Sequence, residues 1–140
     1  MTKSDVQFVN TGTSVQEAAE DMRLLKRGCL VVMSDGKLVG ILTERDLVQK
    51  VLAFGKNPNE TAVSKVMSAP VITVRPDATL SEAAKLMVAN RIRRLPVVDG
   101  SKVVGMLTTT DFAKYMRLQN RDEPMWAAAS RAADYQTIFE

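Results

Sequence analysis

The sequence predicts a mixed α/β (α+β) protein in which one β-α-β-β-α unit is used twice and a C-terminal helical tail follows. The first observation is an internal repeat. Gly40-Ile41-Leu42-Thr43-Glu44-Arg45-Asp46 recurs as Gly105-Met106-Leu107-Thr108-Thr109-Thr110-Asp111, at a fixed offset of 65 residues. Laying 6–51 on 71–116 without a gap matches 14 positions: Val6, Val9, Glu17, Ala18, Ala19, Met22, Leu30, Val32, Lys37, Val39, Gly40, Leu42, Thr43 and Asp46. Ordinary composition would match about three, so the repeat is not chance. The second observation is a pair of helix-start signals at equivalent places, and the third a pair of tight-turn signals between apolar runs.

In chain order, residues 1–5 are polar and expected to be loose, and Val6-Gln7-Phe8-Val9 reads as a short strand. Ser14 with Glu17 is a capping box, opening a helix with Val15, Ala18, Ala19, Met22 and Leu25 on one face and Gly28 as its end. Leu30 to Met33 is a continuous apolar strand, Asp35-Gly36 a hairpin turn and Leu38 to Leu42 the returning strand. Thr43 then caps a helix reaching about Leu52. The Gly, Pro and Asn of 54–61 mark a loop, and Val63 to Met67 suits a single helical turn.

The second unit repeats the order: strand Val71 to Val74, capping box Thr79 to Glu82, helix to Asn90, strand Leu95 to Val98, turn Asp99-Gly100, strand Val103 to Leu107 and a helix from Thr108. The expected organisation is a repeat over 1–53, a loop over 54–65, a second repeat over 66–117 and a tail over 118–140. In the tail, Asp122-Glu123-Pro124 is a helix start, and the alanine-rich stretch Trp126 to Ala133 continues it. That helix is read as packing on its own domain or on a second copy.

Composition narrows the function. At 140 residues and 46% hydrophobic, the chain can bury one sizeable core. With no histidine and one cysteine, Cys29, there is no internal disulfide, no Cys/His zinc cluster and no His-based triad. Cys29 and the eight methionines read as apolar filler. No apolar run is long enough to span a membrane and no signal segment opens the chain, so a cytoplasmic, non-membrane protein is expected. The net charge of +3 comes from 19 basic and 16 acidic residues, largely interspersed. Arg91-Ile92-Arg93-Arg94 is the one basic concentration, either solvated or reaching phosphate; Arg93 and Arg94 face opposite ways if they enter a strand.

The Gly-x-x-Thr-x-x-Asp segments have chemistry of their own. Glycine at a strand end admits a ligand to the backbone, the helix start offers N–H groups to a phosphate, threonine adds a donor, and the aspartate can accept from both hydroxyls of a ribose. The same threonine and aspartate are also good helix caps, a role that needs no ligand.

Val66-Met67 leading into a strand, Pro76-Asp77-Ala78-Thr79, Leu95-Pro96-Val97-Val98-Asp99 and the two Gly-x-x-Thr-x-x-Asp closures together resemble a tandem pair of cystathionine β-synthase (CBS) domains, a Bateman module, over about residues 3–117. The resemblance implies two repeats packed about a pseudo-twofold axis, with clefts for adenosine-containing ligands: AMP, ADP, ATP or S-adenosylmethionine. It implies one pocket of Thr108, Thr110, Asp111, Arg93 and Arg94 with Gln7, Arg27, Gly28 and Cys29. A second pocket has Thr43, Arg45, Asp46, Gly28 and Cys29 with Met67, Ser68, Ile72 and Ile92. The expected protein is a stand-alone, non-catalytic nucleotide sensor without cofactor or metal, a homodimer that signals to an unidentified protein. The alternatives are a structural or dimerisation module with vestigial clefts, and weak nucleic-acid binding through Arg91 to Arg94.

Overall fold

Hydrogen-bond capacity at helix ends and turns decides where each element starts and stops. The structure, a computed structural model, describes residues 6–117, with side chains as far as Lys114. The expected tail helix lies outside the described residues. The chain forms two compact units, Gln7–Val71 and Ile72 onward, the latter taking in Val6.

In the first unit, β1 (Phe8–Asn10) runs parallel to β2 (Cys29–Ser34), and β2 pairs antiparallel with β3 (Lys37–Thr43). Between β1 and β2 lies α1 (Val15–Leu25), whose N-cap Ser14 accepts from the Glu17 N–H. Its buried stripe is Val15, Ala18 and Met22. Leu25, expected on that face, is exposed, because the helix ends there. Gly28 is not its terminator: Lys26 takes the left-handed position at φ 54, and the Arg27 N–H closes on the Met22 carbonyl at 2.9 Å. Asp35 and Gly36 both have positive φ, as a type I′ hairpin requires.

After Thr43 the backbone makes one α turn, α2 (Glu44–Asp46), and then widens into a π-helical segment over Leu47–Leu52. The expected loop is not free. Gln16 N–H bonds the Pro58 carbonyl, Val15 N–H the Thr61 carbonyl and Val63 N–H the Thr13 carbonyl, tying the connector back over the start of α1. A 3₁₀ turn follows at Val63–Lys65, and Ser68 then bridges Ile41 on β3. The core of this unit gathers Val9, Val15, Ala18, Met22, Leu30, Val32, Leu42, Val51, Val63 and Val66.

The second unit has α3 (Leu80–Asn90), the hairpin β4 (Arg94–Asp99) and β5 (Lys102–Thr108), and α4 (Thr109–Arg117). Both halves of the capping box form here: Thr79 Oγ1 accepts from the Glu82 N–H, and Glu82 Oε2 from the Thr79 N–H. Its core is Val74, Leu80, Ala83, Met87, Leu95, Val97 and Leu107. Both hairpins carry a register shift at the same place, after Val32 and after Val97, which leaves Val39 and Val104 as the extra residues of equivalent bulges.

Two expectations fail in this unit. The turn is Gly100-Ser101, not Asp99-Gly100: Asp99 pairs with Lys102, and Gly100 has φ 63, the type II′ pattern. The strand expected over Val71 to Val74 is reduced to one bridge, Val74 with Val97. In the first unit the Val31 N–H bonds the Gln7 carbonyl at 2.8 Å. The residue 65 positions on is Pro96, which has no N–H to offer Ile72.

Candidate functional site

Each Gly-x-x-Thr-x-x-Asp segment bends from the end of a hairpin strand into a helix, and the bend is held by the aspartate itself. Thr43 Oγ1 accepts from the Asp46 N–H at 3.1 Å, while Asp46 Oδ2 accepts from the Thr43 N–H at 2.9 Å and from the Thr43 hydroxyl at 3.1 Å. At the second segment, Thr108 Oγ1 accepts from the Asp111 N–H at 3.1 Å. Asp111 Oδ2 accepts from the Thr108 N–H at 3.2 Å and from its hydroxyl at 2.9 Å. A hydroxyl has one hydrogen, and in both segments it already points at the carboxylate. The threonine is therefore a clamp on its aspartate rather than a free donor.

The first helical N–H is also taken in both: Glu44 N–H by the Gly28 carbonyl at 3.1 Å, and Thr109 N–H by the Arg93 carbonyl at 3.0 Å. At the second segment this leaves Thr110, exposed and with no partner for its N–H among the described residues.

Beyond this shared bend the two sites differ. Asp46 is 4% exposed, the one buried charged side chain among the described residues. Its Oδ1 receives Lys50 Nζ at 2.9 Å and Ser68 Oγ at 3.1 Å. Lys50 Nζ also donates to the Val66 carbonyl at 3.0 Å. Gly40 faces the chain's own segment: a Cβ there would lie 2.5 Å from Met67 Sδ and 3.2 Å from the Ser68 carbonyl oxygen. The close approach that glycine permits is made at this place by Met67 and Ser68.

Asp111 is half-buried, and among the described residues nothing bonds its Oδ1. Arg94 pairs across the hairpin with Thr108, and Arg93 holds the helix start through its carbonyl. Arg93 is exposed and Arg94 half-buried. Neither guanidinium is paired with a carboxylate among the described residues.

The structure thus brings together Thr43, Asp46, Met67 and Ser68 within the first unit, with Gly28 and Cys29 beside them through the Glu44 N–H and the Cys29–Thr43 pairing. It brings together Arg93, Arg94, Thr108, Thr110 and Asp111 within the second. Arg45 is exposed and takes no part in the Asp46 bonds. Gln7 and Arg27 belong to the first unit, Ile72 and Ile92 to the second, where both isoleucines pack on its core. Cys29, expected to be buried, is half-buried. Lys50 was not among the expected site residues, although an aspartate four positions before a lysine on a helix is a readable pairing signal.

A groove of about 750 Å³ on the second unit, lined by Val74, Arg75, Asp77, Glu82, Lys85 and Leu86 among others, contains no residue of the Asp111 segment. Its Arg75 and Asp77 pair with each other at 2.8 Å. Among the described residues no cluster of His, Cys, Asp and Glu is arranged to hold a metal ion, and no helix is long and apolar enough to cross a membrane.

Comparison with known proteins agrees with the repeat. The family model for the CBS domain matches residues 1–53 and again 63–118. An uncharacterized protein of Methanopyrus kandleri is 45% identical over 108 residues, covering 74% of this chain and 55% of that protein, so the match spans little more than half its length. The CBS domain-containing protein YhcV of Bacillus subtilis is 36% identical over 110 residues, 79% of this chain and 78% of its own. The structure of a hexameric CBS-CP12 protein from bloom-forming cyanobacteria superposes with a TM-score of 0.74 at 32% identity, covering 81% of this chain and 66% of that one. Pairs of CBS domains are commonly regulatory and ligand-binding. With two matched copies at the repeat read from its residues, the chain belongs to the CBS-domain family and carries the domain in tandem.

Proposed function

We propose that this pair is a non-catalytic regulatory module that binds an adenine nucleotide of the AMP, ADP or ATP class, with Asp111 as the ribose anchor. One observation carries the reading: Asp111 is fixed by its threonine through Oδ2 while Oδ1 has no partner among the described residues. A positioned carboxylate oxygen at a half-buried bend suits a sugar hydroxyl. Arg93 and Arg94, unpaired with any described carboxylate and next to the exposed Thr110 N–H, favour an anionic phosphate over the sulfonium of S-adenosylmethionine.

The test is calorimetric titration of AMP, ATP and adenosine into the chain and its Asp111→Ala variant. Losing a bond to a charged group of about 1.5–3 kcal/mol weakens nucleotide binding about tenfold or more. If Asp111 serves its helix alone, the substitution costs at most about 1 kcal/mol of stability and leaves affinity untouched. Arg94→Ala should weaken AMP and ATP more than adenosine.

The module is further read as a homodimer that passes its signal to another protein. Leu24 and Val88, 69% and 79% exposed at equivalent ends of α1 and α3, favour self-association. Light scattering across micromolar concentrations should give twice the chain mass, and a monomer would remove this reading.

A further inference from the structure

Asp46 has the sequence of a ribose anchor, but its surroundings leave a ligand nothing to bond. A carboxylate offers about four lone-pair sites on two oxygens. Oδ2 of Asp46 holds the Thr43 N–H and hydroxyl, and Oδ1 holds Lys50 Nζ and Ser68 Oγ. Ser68 also lies 3.4 Å from Oδ2. The group is nearly sealed from water, and the residues that seal it are tied in turn. Ser68 exchanges two backbone bonds with Ile41, at 2.8 and 3.0 Å, and Lys50 reaches the Val66 carbonyl. Val66 and Ser68 are thus fastened at both ends of a short segment whose Met67 fills the space left open by Gly40.

The π-helical segment that follows Asp46 contains Lys50 and carries its ammonium to both the carboxylate and the Val66 carbonyl. The equivalent helix of the second repeat is α-helical from Thr109 to Arg117, and the residue 65 positions after Lys50 is Tyr115, which has no cation to offer.

We infer that Lys50 and Ser68 are specificity-determining residues that close the first motif from within, so that the chain binds one nucleotide, at Asp111, rather than two. The inference rests on the nucleotide reading for its count of ligands, and on side-chain geometry alone for the closure.

Its test separates the two. Titrated with AMP, the full chain should bind one per chain, and the Asp111→Ala variant should bind it about tenfold or more weakly. In that Asp111→Ala background, Lys50→Met with Ser68→Ala releases Oδ1 of Asp46, and AMP binding about as tight as that of the unmodified chain should return. Two AMP bound by the unmodified chain, or no recovery of affinity in the released variant while the unmodified chain binds, overturns the inference. A parallel measurement needs no ligand. Thermal melts of Asp46→Ala, Lys50→Met and the double variant should show a combined loss smaller than the two single losses together, because both remove the same contact. Strict additivity overturns the closure. Should AMP fail to bind the unmodified chain at all, the nucleotide reading falls and these melts still decide whether Lys50 acts through Asp46.

Discussion

The first and second repeats share their bulge, their bend and their threonine–aspartate clamp, and differ in what surrounds the carboxylate. In the first, a lysine four residues on and a serine 22 residues on converge on Asp46 and bury it. In the second, among the described residues, nothing bonds Oδ1 of Asp111, and the helix start it clamps is joined through the backbone to Arg93 and Arg94. The clamp itself is structural in both, since it satisfies helix-start N–H groups whether or not a ligand is present. The repeats differ in the carboxylate's neighbours, not in the clamp.

The largest expected effect that would sharpen this contrast is on affinity. Asp111→Ala should weaken AMP about tenfold or more, while the clamp's helix-capping share, common to both repeats, costs about 1 kcal/mol. Equal losses of affinity from Asp46→Ala and Asp111→Ala would erase the difference between the repeats.

A smaller effect tests how tightly the first motif is closed. Gly40→Ala places a methyl 2.5 Å from Met67 Sδ and 3.2 Å from the Ser68 carbonyl oxygen. The thioether can swing away, but Ser68 is held by its two bonds to Ile41. Overpacking of this kind costs about 1–3 kcal/mol, read as a lower urea midpoint at unchanged slope. An unaltered midpoint would mean that the segment Met67–Ser68 yields freely and does not seal the motif.

Local signals carried most of the fold in the sequence. Cap residues, the Asp35-Gly36 turn and the apolar runs act within a few positions of themselves, so a reading by neighbours finds them. Where two such signals compete, the repeat is the better guide: the 65-residue offset puts the second turn at 100–101, where the structure has it, although Asp99-Gly100 is the more familiar dipeptide. The two aspartates were legible as a pair, and Arg93, Arg94 and Thr110 marked the second as the richer site, but the closure of the first from within was not legible. Ser68 reaches Asp46 only because Ile41 and Ser68 pair across a long connector, and nothing within a helical turn of either residue announces that. Lys50 was within reach of spacing rules, and its second bond to Val66 was not.

The loss of a strand in the second repeat was also written in the sequence, at Pro96 within the strand Leu95 to Val98. Val31 and Pro96 are equivalent, and each faces the neighbouring parallel segment rather than the hairpin partner. Val31 donates to Gln7 and supports a three-residue strand, whereas Pro96 accepts from Val74 at 3.0 Å through its carbonyl but has no hydrogen to return to Ile72. The β4–β5 ladder is unaffected because that nitrogen points away from it. Pro96→Val restores the donor, so residues 73–75 should pair as Phe8–Asn10 do, and the amide at position 96 should become protected in hydrogen exchange. The change in stability is the smallest of the set. A new buried backbone bond contributes about 0.5–1.5 kcal/mol, and the loss of proline's restraint on the unfolded chain removes about 0.4–1 kcal/mol. The net shift should therefore stay within about 1 kcal/mol of zero while the exchange pattern changes clearly. An amide at 96 that exchanges as fast as an exposed one would show that the second repeat lacks its strand for a reason other than the missing N–H, and that the two repeats differ in backbone path as well as in side chains.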